Sequence, residues 1–77
     1  MQPKLKRALV EYIMGQRTLT IVGQPQILAV IYEAAKASRT LKETLESGDI
    51  EATIIAVENK RKAVERFERI TGQTWGI

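Results

Sequence analysis

Two long helical segments separated only by Gly48 and Asp49 dominate what this chain can fold into. From Pro25 to Ser47, the positions Ile27, Ile31, Ala34, Ser38, Leu41 and Leu45 recur at alternating spacings of four and three. That is the rhythm of a helix buried along one seam. From about Ile50 to Thr71 a second seam is expected through Ile50, Ile54, Val57, Val64, Phe67 and Ile70 or Thr71, interrupted by the polar block Glu58-Asn59-Lys60-Arg61-Lys62. Gly48 and Gly72 follow the two segments as left-handed stops, and Asp49 is placed to cap the second. A connection this short between arms of matched length predicts an antiparallel hairpin, each arm about 30 Å long at about 1.5 Å per residue. In that hairpin Leu41 is expected opposite Ile54 and Leu45 opposite Ile50. Ala34 then falls near Arg61, whose stem can lie along the neighbouring helix.

The N-terminal part is different. Pro3 suits a first helical position, because its missing N–H would be unpaired there anyway. Leu5, Ala8, Leu9, Tyr12 and Ile13 form one apolar face, and Gly15 ends a short helix over about 3–14. Residues 17–22, Arg17-Thr18-Leu19-Thr20-Ile21-Val22, are rich in β-branched types and alternate in polarity, closed by Gly23 and Pro25. This extended stretch is the only candidate strand. Either water satisfies its backbone, or the same segment of a second copy pairs with it. The fold class expected is therefore all-α: a short helix, an extended segment with a candidate lone strand, a helical hairpin over about 25–47 and 50–71, and a tail, 73–77. One small domain should hold all of it. Trp75 in the tail either folds back on the open end of the hairpin or serves a partner.

The residue inventory narrows the function. There is no cysteine and no histidine among the 77 residues, which removes thiol nucleophiles, imidazole acid–base work and thiolate or imidazole metal sites. Ser38 sits on the apolar seam, where a small tolerated residue is a better reading than a nucleophile. Glu43, Glu46, Asp49 and Glu51 lack the spacing of a calcium loop, and acids near a helix start are explained by the helix dipole. No glycine pattern cradles a phosphate. The expectation is no enzyme, no metal and no cofactor. No apolar run of about 7–15 residues follows the basic Lys4, Lys6 and Arg7, so a secretory signal is not expected. The longest apolar stretch, Ile27–Tyr32, is far short of the roughly 20 residues of a membrane span. A cytoplasmic protein without membrane contact is the resulting expectation.

Net charge is +3, and it is sorted along the chain. The N-terminal helix and residues 60–69 are basic, whereas Glu43, Glu46, Asp49 and Glu51 make the hairpin turn acidic. Lys60, Arg61, Lys62 and Arg66 are the candidate phosphate-contacting residues of a nucleic-acid-binding module. Against that reading, Glu58 with Lys62 and Glu65 with Arg69 are spaced as i, i+4 ion pairs on a solvated helix face.

Chains under about 80 residues seldom bury enough apolar surface alone. Here the front formed by Leu28, Val30, Ile31 and Ala35, with the first helix, exceeds what one partner helix can cover. The first helix could cover that front in its own chain, or a second copy could; a homodimer is the favoured solution because it would also offer residues 17–22 a partner. Its expected interface is Leu19, Ile21, Leu28, Val30 and Ile31. The functional expectation is a non-enzymatic, self-associating protein–protein interaction or assembly module, with another protein as the other possible partner and nucleic-acid binding as the alternative. The run Leu9–Val22 resembles the helix–glycine–arginine–strand passage of small phage head–tail joining proteins, without their second strand. That resemblance implies phage or prophage assembly as a further alternative.

Overall fold

The computed structural model describes residues 1–77 and consists of α1 (Pro3–Ile13), α2 (Pro25–Ser47) and α3 (Ile50–Thr71), with no strand. The boundaries are set by local chemistry. Pro3 and Pro25 open α1 and α2. Gly48 takes the left-handed conformation (φ 76°) that lets α2 end and the chain reverse at once. Asp49 then caps α3, its Oδ1 accepting the Ala52 N–H at 3.0 Å. Replacing that carboxylate should cost about 1 kcal/mol. Asp49→Ala is therefore expected to lower the melting temperature by roughly 4–8 °C, the shift such a loss produces in a domain of this size. An unchanged melting temperature would show that the cap contributes nothing.

α2 and α3 pack against each other as the expected antiparallel hairpin. α1 packs on α2: Leu5 and Ala8 share a groove with Ile27, Leu28 and Ile31, while Tyr12 lies 5.0 Å beneath the Arg39 guanidinium. Those contacts make α1 run in the same direction as α2, so residues 14–24 return along their flank to the start of α2. One core results, built from Leu9, Ile13, Val30, Ile31, Ala34, Ala35, Ala63, Phe67 and Trp75.

Residues 17–22 are the extended connector, unpaired within the chain. Residues 17–22 make no backbone–backbone hydrogen bond, because the chain contains no second extended segment to pair with them. The stretch is held by its side chains instead. Leu19 and Ile21 pack against the core, Thr18, Thr20 and Val22 face solvent, and the Tyr32 hydroxyl donates to the Leu19 carbonyl at 3.1 Å.

The inward face of α3 also differs from expectation. Its buried residues are Ala56, Ala63 and Phe67, with Thr53 and Lys60 half-buried between and before them, a seam at spacings of three and four. Ile50, Ile54 and Val57 lie outside it, 76%, 64% and 51% exposed, and Ile70 is exposed too. The cause is on α2, whose matching surface is Ala34, Ala35 and Ser38. Small side chains there favour a close approach of the two backbones, and the alanines of α3 suit such a contact better than its isoleucines. Ser38 is satisfied within its own helix, its hydroxyl donating to the Ala34 carbonyl at 2.8 Å. Leu45 is 63% exposed, and with Ile50 and Ile54 it lines a shallow open depression rather than a buried contact. Nor does Arg61 lie along α2 beside Ala34; it stays on its own helix between Glu58 and Glu65.

The tail closes the open end. Trp75 is buried edge-on against Phe67, ring centroids 5.0 Å apart at 75°. Its backbone N–H donates to Glu68 Oε2 at 3.0 Å. Its indole N–H has no acceptor.

Candidate functional site

The four candidate phosphate-contacting residues are largely committed to partners within the chain. Lys60 lays its stem in the half-buried seam and donates from Nζ to the Ile77 carbonyl at 3.0 Å. Arg61 bridges Glu58 at 2.5 and 3.0 Å and Glu65 at 2.8 Å. The hydrogen bond from Arg61 holds the Glu58 carboxyl below its ordinary pKa, and Arg61 is pushed up in turn by Glu58 and Glu65. Both groups are solvent-exposed, so the pair adds little to stability. Arg66 reaches across to Glu33 on α2. Lys60 and Lys62 make no ion pair, and Lys62 alone of the four has no hydrogen-bond partner either. The structure therefore brings carboxylates, rather than a cleared cationic face, around this block. The expected Glu58–Lys62 and Glu65–Arg69 pairs are replaced by the Arg61 fork.

The five expected interface residues divide. Val30 and Ile31 are buried within the chain's own core, which leaves them no surface to offer. Leu19, Ile21 and Leu28 are half-buried; Ile21 and Leu28, with Val22 and Leu5, border a groove of about 440 Å³.

A different surface gathers several exposed aliphatic residues. Ile50, Ile54 and Val57 follow one another at i, i+4 and i+7 on α3, and Leu45 of α2 adjoins them across the turn. Neither α1 nor the tail reaches this end. α1 finishes beside Arg39, since Gly15 lies next to that side chain, and the tail stops at Lys60. Periodicity along α3 places these residues on the seam with α2 instead. A sequence signal for them existed: the doublet Ile54-Ile55 and the run of apolar types from 50 to 57 are too wide for one seam.

The charges around the two ends are distinct. Glu43, Asp49 and Glu51 beside the turn make no ion pair, and neither do Lys4, Lys6 and Arg7 on α1. Between them, three pairs match an acid with a base: Arg17 with Glu11, Lys42 with Glu46 and Arg66 with Glu33. No group of three carboxylates converges in the fold, and no helix is long and apolar enough to cross a membrane. No family model, no curated protein and no solved structure matches this chain.

Proposed function

We propose that this chain is a non-enzymatic, cytoplasmic assembly module that associates with a second copy of itself. The observation that carries the reading is the exposed apolar end of the hairpin, Leu45, Ile50, Ile54 and Val57, on a chain too small to expose aliphatic surface without consequence. The absence of histidine and cysteine, and a core serine whose hydroxyl is tied to the Ala34 carbonyl, support a role without catalysis. A nucleic-acid-binding module is the second reading, favoured by the unpaired Lys4, Lys6, Arg7 and Lys62 and opposed by the carboxylates that engage Arg61 and Arg66. Phage or prophage assembly has less support, since the strand of the resembling passage does not form.

One sedimentation experiment separates these readings. At tens of micromolar the chain alone should sediment as a species of twice 8.7 kDa. Adding a labelled duplex at low salt should leave that species unchanged. A monomer that co-sediments with the duplex, in a manner that weakens steeply as salt rises, would replace the assembly reading with the nucleic-acid one. A monomer that binds nothing would remove both.

A further inference from the structure

We propose that the two copies pair antiparallel, with the hairpin tip of each seated on the outer face of the partner's α1. This rests on the self-association reading and adds the arrangement. A second apolar patch makes it specific: Val10 (39% exposed) and Met14 (49% exposed) stand one turn apart on the side of α1 turned away from α2. Lys6 and Arg7 lie one turn before Val10 on that same side. The chain therefore carries an apolar patch edged by unpaired cations and another, at the tip, edged by the unpaired acids Glu43, Asp49 and Glu51.

Charge decides the pairing. Two tips brought together would set each acidic rim against its own copy, and two α1 faces would do the same with their cations. Tip against α1 sets acid against base. Because the α1 patch lies back from the turn, at the level of Arg39, and the tip patch lies beyond it, an antiparallel two-fold satisfies both contacts at once and closes at two copies. Size agrees. The hairpin continues past Arg39 for about 13 Å before it turns, at about 1.5 Å per residue, and α1, with its 11 residues, is about 16 Å long at the same rise. One helix of the partner fills that uncovered length.

The chain has no cysteine, so single-cysteine variants report contacts directly. Met14→Cys and Ile54→Cys, each first shown by circular dichroism to stay helical, are oxidised mildly alone and mixed. The mixture should form the cross-linked pair at least ten-fold faster than either variant links to itself. If Ile54→Cys links to itself as fast as to Met14→Cys, the tips meet each other and the arrangement is wrong while self-association stands. A chain that sediments as a dimer yet yields no mixed cross-link also overturns the arrangement. A wild-type monomer at tens of micromolar defeats the underlying reading as well.

Discussion

Ile31→Asp is expected to abolish the cooperative fold, while Ile54→Asp leaves the helices intact. Ile31 is 6% exposed within the core that joins α1, α2, α3 and the tail. Its replacement removes aliphatic packing worth about 2–5 kcal/mol. It also puts a carboxylate among the aliphatic side chains of the core, a further cost of several kcal/mol. A chain of this length has roughly 4–11 kcal/mol of total stability. The loss is comparable to the whole. Far-UV circular dichroism of Ile31→Asp at neutral pH should show little helix. Ile54, by contrast, is 64% exposed, so an aspartate there is solvated, and its urea midpoint should stay near that of the wild type. The association measured by sedimentation should weaken in Ile54→Asp, because the charge enters the apolar patch. A native-like melt for Ile31→Asp, or unfolding of Ile54→Asp, would refute the assignment of faces.

The second large effect is expected in the tail. Trp75→Ala should destabilise the chain by about 3–5 kcal/mol, the usual cost of deleting a large buried aromatic. Trp75→Phe should cost less than about 1.5 kcal/mol. Phenylalanine keeps an edge-on ring against Phe67 and removes the indole N–H, which is buried without an acceptor. Leaving such a donor unpaired costs about 1–3 kcal/mol, so its removal offsets part of the smaller ring's poorer fit. Urea unfolding followed by circular dichroism measures both variants. If Trp75→Ala lies within about 1 kcal/mol of the wild type, the tail is an appendage rather than part of the core.

These two residues show how differently the faces could be anticipated. On α2 the apolar pattern leads correctly to Ile31, Ala34 and Ser38, because bulky and small residues there alternate on one side and Glu33, Lys36 and Thr40 define the other. On α3 the pattern leads astray. Ile50, Ile54 and Val57 form as good a stripe as Thr53, Ala56, Lys60, Ala63 and Phe67, and hydrophobicity alone favours the isoleucines. The basic block was misleading for a related reason: its residue types are visible along the chain, whereas the commitments of Lys60 to Ile77 and Arg66 to Glu33 depend on which elements lie side by side.

Pro3, Pro25, Gly48, Asp49 and Gly72 determined the extent of the three helices without reference to anything distant. Each acts through its own φ angle or through a hydrogen bond to a neighbour within one turn, and such effects are complete in the local chain. Which side of α3 would be buried was decided only when the hairpin closed. The depth of a helix–helix contact is set by the smallest residues that can meet, so Ala34, Ala35 and Ser38 selected Ala56 and Ala63 and turned the isoleucines outward. The same closure left α1 and Trp75 to cover one end of the hairpin and nothing in the chain to cover the other.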